Sequence, residues 1–340
     1  MTTPDRRATS ADDALALAQR AGIHRIALPT PFLVGRVNCY LIEDEPLTLI
    51  DTGPNSGKSL DDLERALAAN GRRIEDLELI VVTHQHMDHL GLLEILARRS
   101  GAEVAAINLL EPYLADFSGS AAADDEFAQA IMRRQGVPDD LATVLGSLAA
   151  AFRAFGSSGQ VTRPLADGAE LELRDRTLRV LHRPGHSPSD TIFWDSEREI
   201  LFSGDHLLAH ISSNPLVSRP LSGPWEPRPR ALLQYIESMR ATRELPARLV
   251  LPGHGDPILD HPALIDERLR MHRRRAERIH QILDARPLSA YEIAVRMWGN
   301  VAVTQAYLTL SEVLGHLDLL VSTDQAVEHE SDGVSVFEAT

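Results

Sequence analysis

Four side chains that can bind metal ions lie within six positions of this 340-residue chain: His84, His86, Asp88 and His89. They begin at the end of the apolar run LELIVVTH, which closes at residue 84 and is typical of a strand buried on both faces. Residues two apart on extended backbone point to the same side, so His84 and His86 can bind one ion. Asp88 and His89 can then face a second ion. Imidazole and carboxylate groups suit zinc, so we expect a fold in which this strand ends at a metal site.

Three more residues of the same kind each follow an apolar run and lie beside glycine: His186 in RPGHSPSD, Asp205 in LFSGDHLL and His254 in VLPGHGD. Glycine allows the sharp turn that would direct each side chain into a common cleft. Asp51, in the strand-end sequence LIDTG, is predicted to hold a histidine ligand in the correct tautomer from outside the ligand set.

The order of the predicted elements indicates an α/β protein. Strand-like runs and helical segments alternate after a polar tail and short helix at residues 1–23, and this alternation predicts a layered core. The alternation stops at about 108–160, where an alanine-rich stretch predicts an insertion of two or three helices. Strand-like runs then resume, and a pattern that predicts mainly helices begins near residue 262. We therefore predict one domain over 24–261 and a second over 262–340.

Composition excludes several classes of function. The chain has 34 basic and 49 acidic residues, and a net charge of -15 disfavours nucleic acid as a partner. No apolar run is long enough for a membrane span, and the N-terminal residues lack the apolar segment of a secretory signal. A single cysteine, Cys39, rules out an intramolecular disulfide, and its apolar surroundings predict that it is buried and inert. We expect a cytoplasmic protein that acts on a small molecule.

Other motifs have simpler explanations. The sequence GPNSGKS at 53–59 has three residues between its glycines where a P-loop has four, so we expect a turn with Ser59 as a helix N-cap. The sequence GHSPS lacks the final glycine of a nucleophile elbow, which leaves Ser187 as a turn residue. The arginines at 273–275 are consecutive and spread around a helix, which predicts a solvated face.

The ordered set of motifs resembles the metallo-β-lactamase superfamily, whose fingerprint is HxHxDH followed by single His, Asp and His motifs. The resemblance covers about residues 25–260 and implies the αββα sandwich of that superfamily, with the 108–160 segment as a helical insertion. It also implies two divalent metal ions, with zinc favoured and manganese or iron as alternatives. By resemblance, one ion is held by His84, His86 and His186, the other by Asp88, His89 and His254, and Asp205 bridges them.

The last 80 residues resemble the winged-helix extension of some members, among them the branch related to a mitochondrial lactamase-like endoribonuclease. This similarity lies in YEIA at 291–294 and EVLGHLDLL at 312–320. It implies a mainly α, winged-helix-like C-terminal domain. The insertion is predicted either to cover the site as a lid or to form a homodimer contact.

The resemblance implies a hydrolase in which hydroxide bridging two metal ions attacks the substrate, and Asp88 is predicted to orient this nucleophile or relay its proton. The acidic surface favours a small acyl substrate, namely a thioester, lactone or ester. The alternatives are a phosphodiesterase or endoribonuclease, a mononuclear iron oxygenase acting on sulfur compounds, and a non-catalytic interaction protein. β-Lactam hydrolysis itself is not expected.

Overall fold

The computed structural model describes residues 10–283 and 286–340. The elements before the insertion are, in chain order, α1 (Ala11–Arg20), β1 (Ile23–Leu28), β2 (Val37–Ile42), β3 (Thr48–Ile50), α2 (Gly57–Ala69), β4 (Leu79–Val82), α3 (Met87–Leu90), α4 (Leu93–Ser100) and β5 (Glu103–Ile107). The insertion and the rest of the sandwich contribute α5 (Glu111–Ala115), α6 (Phe117–Arg134), α7 (Asp139–Phe152), β6 (Arg163–Leu165), β7 (Glu170–Glu172), β8 (Thr177–His182), β9 (Thr191–Asp195), β10 (Ile200–Gly204), α8 (Ala231–Arg243) and β11 (Leu249–Pro252). Within the described ranges, no helix has both the length and the apolar character needed to cross a bilayer.

Two mixed sheets form the centre of the molecule. The first has the order β1-β2-β3-β4-β5-β6, with antiparallel pairs from β1 to β3 and parallel pairs from β3 to β6. The second has the order β11-β10-β9-β8-β7, in which β10 and β11 are parallel and the other neighbours are antiparallel. The carboxyl ends of β3, β4, β10 and β11 therefore become available to build a site at one edge.

The sheets pack face to face because their strands alternate apolar residues between two layers. Val180 and Phe202 of the second sheet belong to the same buried cluster as the strands of the first sheet and helices α2 and α4. Their chain neighbours Leu181 and Leu201 belong to a different cluster, with Tyr235 of α8. This two-residue period places one face of the second sheet against the first sheet and the other against a helix. The arrangement is the predicted αββα sandwich.

The C-terminal region is a separate layer of helices with a small sheet. Its elements are α9 (His261–Leu283), β12 (Leu288–Ser289), α10 (Ala290–Trp298), α11 (Val301–Thr304), α12 (Ala306–Ser322), β13 (Ala326–Ser331) and β14 (Val334–Ala339). The strands pair in the order β12-β14-β13, and β13 and β14 form an antiparallel hairpin. A helix, a short strand, further helices and a hairpin in this order fit the predicted winged-helix-like unit.

The insertion packs against this C-terminal unit. Phe127 and Ile131 of α6 lie in the same buried cluster as Ile279 of α9 and Leu314 of α12, and the Phe127 and Trp225 rings meet edge to face at 5.4 Å. One hydrophobic cluster therefore contains residues from both sides of the predicted domain boundary between residues 261 and 262. The division into two domains at this position stays a prediction. The predicted roles of the insertion as a lid or a dimer contact did not include this packing.

Helix α2 begins three residues earlier than its predicted cap implies. Its N-cap is Ser56, whose side-chain oxygen accepts a hydrogen bond from the Ser59 backbone N–H at 3.1 Å. Ser59 instead lies inside the first turn and donates its hydroxyl to the Pro29 carbonyl. The prediction of Ser59 as the N-cap was wrong, because both serines suit a cap and the sequence alone does not distinguish them.

Candidate metal centre

Loops from both sheets meet at one edge of the sandwich. They carry Asp51 after β3, His84 and His86 after β4, Asp88 and His89 in α3, His186 between β8 and β9, Asp205 after β10 and His254 after β11. Two backbone hydrogen bonds join the sheets here: Thr191 N–H donates to Thr83 O at 3.0 Å, and Asn38 N–H donates to Gly253 O at 2.6 Å. The structure thus brings together all the residues that the sequence nominated.

The first group of ligand atoms comprises three ring nitrogens and one carboxylate. His86 Nδ1 lies 3.0 Å from His84 Nε2 and 3.0 Å from His186 Nε2. Asp205 Oδ2 is 3.6 Å from His186 Nε2. All four residues offer a ligand atom within 4.8 Å of the others, which is a suitable spacing for ligands of one ion.

The second group lies on the other side of Asp205. His254 Nε2 is 3.3 Å from Asp88 Oδ2 and 3.4 Å from Asp205 Oδ2. His89 Nε2 is 3.4 Å from Asp205 Oδ1. The ligand atoms of Asp88, His89 and His254 also lie within 4.8 Å of one another. Because Asp205 contacts residues of both groups, its carboxylate is in the place that a bridging ligand would occupy.

Hydrogen bonds from Nδ1 fix the tautomers of His89, His186 and His254. His186 and His254 face the carbonyl oxygens of Asn214 and Arg36, at 3.0 and 2.9 Å. A carbonyl can accept and cannot donate, so Nδ1 carries the proton in both rings. His89 likewise donates from Nδ1 to Asp51 Oδ2 at 2.7 Å. The Nε2 atoms of these three rings therefore point into the centre, where each offers a lone pair when its ring is neutral.

These lone pairs and carboxylate oxygens fit a cation. His89 Nε2, His254 Nε2 and Asp205 Oδ1 are buried and have no hydrogen-bond partner. Acceptors that converge in a buried space repel one another, and an unpartnered polar group there costs about 1–3 kcal/mol. Divalent ions would satisfy all of these atoms at once, and a mixed imidazole and carboxylate set suits zinc, manganese or iron.

The protonation states agree with this fit. Burial, together with the neighbouring His186, lowers the pKa of His86 to about 3, and burial with His89 and His86 holds the pKa of His84 well below its usual value. These rings are neutral at pH 7, as metal ligands must be. Burial alone would lower the pKa of His254, but the Asp205 carboxylate raises it to about 10. A divalent ion at this position would replace that proton as the partner of the carboxylate.

Comparison with known proteins agrees with the geometry. The family described as the metallo-beta-lactamase superfamily matches residues 33–254, which is more than half of the chain. The chain belongs to this superfamily. The predicted family and its fold are therefore confirmed.

Two individual relatives extend the match over more than nine tenths of the chain. The protein named probable metallo-hydrolase YqjP, of Bacillus subtilis (strain 168), is 33% identical over 312 residues, covering 92% of this chain and 96% of its own. A solved metallo-beta-lactamase family protein of Thermus thermophilus is 25% identical with a TM-score of 0.79, over 94% of this chain and 99% of its own. A protein of Aspergillus fumigatus named atrochrysone carboxyl ACP thioesterase is 29% identical over 147 residues, which are 43% of this chain and 32% of that protein.

Asp51 supports the metal ligands through hydrogen bonds to His89 and Thr83. Its backbone has a φ of 60°, a left-handed conformation that is uncommon for residues other than glycine. Its Oδ2 accepts hydrogen bonds from His89 and from Thr83 Oγ1 at 2.8 Å, and its Oδ1 accepts from Thr83 N–H at 2.9 Å. Thr83 Oγ1 in turn lies 2.9 Å from His84 Nδ1, so it accepts the proton of that ring. Asp51 therefore orients one histidine from each group, as its predicted supporting role requires.

Several supporting residues were not predicted from the sequence. Asn38 donates its side-chain amide to the carbonyls of Pro252 and Gly255, at 3.0 and 2.9 Å, and Tyr40 donates its hydroxyl to Pro252 at 2.7 Å. These bonds hold the loop that carries His254. Polar residues in an apolar strand are a signal for such a role, but the sequence does not say which loop they reach.

His206 and His210 flank the bridging aspartate in sequence but differ in setting. His206 is buried and lies 2.9 Å from Thr242 Oγ1, which is a structural contact. His210 is exposed and its ring lies over Gly255, where a Cβ atom would be 2.6 Å from His210 Nδ1. His210 therefore stands at the rim of the centre.

A further group of metal-competent residues, His272, Glu312 and His316, lies between α9 and α12. His316 Nδ1 donates to the Glu312 carbonyl at 2.6 Å, so its Nε2 can accept from His272 Nδ1 at 3.1 Å. The Glu312 carboxylate is bound by Arg275. The His316 nitrogens and the Glu312 carboxylate are satisfied by these hydrogen bonds, whereas His272 Nε2 is buried without a hydrogen-bond partner. The group therefore has one unpartnered nitrogen, in contrast to the several unpartnered atoms that converge in the centre.

Proposed function

We propose that this protein is a dinuclear metal-dependent hydrolase that cleaves a small acyl compound, with a thioester as the first candidate and a lactone or ester as the others. The observation that carries the proposal is the pair of ligand groups on either side of Asp205. The fungal relative named a thioesterase supports the choice of acyl substrate, although its match spans less than half of this chain.

When bound, divalent ions lower the pKa of a water molecule and polarise the oxygen of an acyl or phosphoryl group. The chain's own contribution is to hold the ligands in place and to manage a proton. Burial would raise the pKa of Asp88, but His254 and His89 beside it hold that pKa below its usual value. Asp88 is then a carboxylate at neutral pH and can orient an attacking water or accept its proton.

Two side chains that could act as covalent nucleophiles, Ser187 and Cys39, are respectively hydrogen-bonded and unreactive. The Ser187 hydroxyl donates to Asp190 at 2.7 Å and so closes the loop that carries His186. Cys39 is buried, and burial together with Asp51 raises the pKa of its thiol well above the usual value. A protonated, inaccessible thiol is a poor nucleophile. These observations favour water as the nucleophile.

The position of the centre favours a substrate that approaches from the His86 side. His86 is half-buried, whereas the other six ligands are buried. The net charge of -15 opposes a long polyanion at this surface, which makes a small molecule the proposed substrate rather than RNA.

The test is hydrolysis by the zinc-loaded full-length protein, with acyl thioesters, aryl esters, lactones and single-stranded RNA offered separately. We expect thioester cleavage that disappears in the Asp205→Asn variant and persists in His329→Ala, which changes an exposed histidine of β13. Metal analysis is expected to find about two ions per chain. Cleavage of RNA alone, or one iron per chain with oxygenase activity, would refute the proposal in favour of the corresponding alternative.

A further inference from the structure

The segment between β10 and α8 connects the metal centre to the C-terminal unit. Residues 205–230, all described in the structure, form neither helix nor strand. A segment without the regular hydrogen bonds of a helix or sheet depends on side-chain contacts to keep its position.

Helix α12 supplies these contacts. Asn214 donates its side-chain amide to the Leu308 carbonyl at 2.9 Å, and Val217 N–H donates to Ser311 Oγ at 3.3 Å. The Tyr307 hydroxyl donates to the Val217 carbonyl, and the Val217 side chain is fully buried in the hydrophobic cluster of the C-terminal unit.

The same segment is fixed to α12 at its far end. Arg228 donates from both terminal nitrogens to Asp318, with both distances 2.7 Å. The guanidinium and the carboxylate are both largely buried. A paired bidentate contact of this kind gives a defined geometry as well as attraction. The segment is therefore attached to α12 at three residues, Asn214, Val217 and Arg228.

Asn214 also holds a metal ligand. Its backbone carbonyl accepts the Nδ1 proton of His186 at 3.0 Å, while its side-chain amide is bonded to α12. The corresponding acceptors for His84, His89 and His254 are Thr83, Asp51 and the Arg36 carbonyl, all of which lie in the sandwich. His186 differs because the residue that orients it is attached to the C-terminal unit.

We propose that Asn214 is a positioning residue for His186, and that helix α12, by holding Asn214, supports the first metal group. The C-terminal unit then has a function at the centre itself. Loss of the amide bond to Leu308 lets the Asn214 carbonyl move and weakens the hold on the His186 ring. The second group, Asp88, His89 and His254, keeps its own support from Asp51 and Arg36.

The test is zinc binding by the full-length Asn214→Ala variant, measured by competition with a chromogenic chelator. The substitution removes the amide and keeps the backbone carbonyl. We expect one of the two zinc dissociation constants to rise by about twofold to tenfold, the equivalent of one hydrogen bond, while the other stays unchanged. The matched control is Tyr307→Phe, which removes a hydrogen bond between the same helix and the same segment without involving Asn214. We expect both of its constants to equal those of the unaltered protein.

A second measurement follows the His186 ring directly and does not depend on catalysis. In protein with ¹⁵N-labelled histidine, the Nδ1 protons held by protein acceptors should exchange slowly with water. We expect one of these ring protons to exchange faster in Asn214→Ala and none to do so in Tyr307→Phe. Unchanged zinc constants and exchange in Asn214→Ala would overturn the proposal, and so would an equal effect of both substitutions. If Asn214→Ala weakened one zinc site as expected but the unaltered protein cleaved no acyl substrate, the proposed function would be wrong and this inference would stand.

Discussion

Replacing Asp51 by asparagine tests whether one buried carboxylate supports both metal groups. The carboxylate accepts three hydrogen bonds, two at Oδ2 from His89 and Thr83 and one at Oδ1 from Thr83 N–H. Asparagine has one acceptor oxygen, so its best orientation keeps the two bonds at one position and turns its NH₂ group toward the Thr83 N–H. Two buried donors then face each other, at a cost of about 1–3 kcal/mol.

We expect this change to weaken metal binding by about 10–100-fold, as is typical when the partner of a metal-bound histidine is removed. Each factor of ten corresponds to about 1.4 kcal/mol, so this range agrees with the cost of the lost hydrogen bond. Both groups should be affected, because the repulsion at the Thr83 N–H displaces the side chain at 51 from His89 and displaces Thr83, which orients His84. Chelator competition at pH 7 measures the two zinc constants, and urea unfolding in a chelator measures the metal-free stability.

Asp195→Asn is the matched control. Asp195 is fully buried at the end of β9 and accepts hydrogen bonds from Arg198 N–H at 3.1 Å and from its guanidinium at 3.3 Å. We expect this variant to lose stability while keeping normal zinc binding. If Asp51→Asn bound two zinc ions as tightly as the unaltered protein, the argument that Asp51 orients the ligands would be wrong.

Two further predictions concern the sandwich, and both are measured by unfolding in a chelator. Burial alone would raise the pKa of Asp44, but the Glu45 backbone N–H and the Arg176 guanidinium hold that pKa below its usual value. The Asp44 carboxylate therefore stabilises the folded protein fully above about pH 4, the pKa of an unfolded aspartate. This contribution is lost as the pH falls through the lower folded-state pKa. Asp44→Asn should therefore be less stable than the unaltered protein at pH 7, by a difference that shrinks as the pH falls below about 4; a difference that does not shrink would contradict this. Gly91→Ala should cost about 1–3 kcal/mol, because its Cβ would lie 2.2 Å from the Phe155 carbonyl. The matched change Gly57→Ala, with no atom within 4 Å, should be neutral or slightly stabilising, and equal effects would refute the steric argument.

The sandwich could be predicted because its strands carry strong local signals. The apolar run before His84 contains β4, a fully buried central strand. Of the strands that resume after the insertion, β6 completes the first sheet and β7 to β11 form the second. The metal-binding turn itself coils into the short helix α3, which the sequence analysis did not predict, before α4 begins at Leu93. Cys39 is fully buried, as its apolar surroundings predicted.

The ligands could be nominated because polar residues at the ends of apolar strands have few structural explanations. His186 lies about 100 positions from His84, yet both follow or flank a strand of the same edge. Parallel and antiparallel strands that end at one edge bring such residues together whatever their separation in the chain. The residue type and its place at a strand end were therefore sufficient for a hypothesis about the site.

The supports of the ligands could not be predicted in the same way. The acceptors for His254 and His186 are the backbone carbonyls of Arg36 and Asn214. Because every residue has a backbone carbonyl, the identity of the side chain does not indicate this role. The identity of the side chain matters at Asn214 for a different reason, because its amide selects the Leu308 carbonyl of α12. A position can thus be important through its side chain while the contact to the metal ligand is made by its backbone, and sequence patterns that search for metal-binding side chains do not detect it.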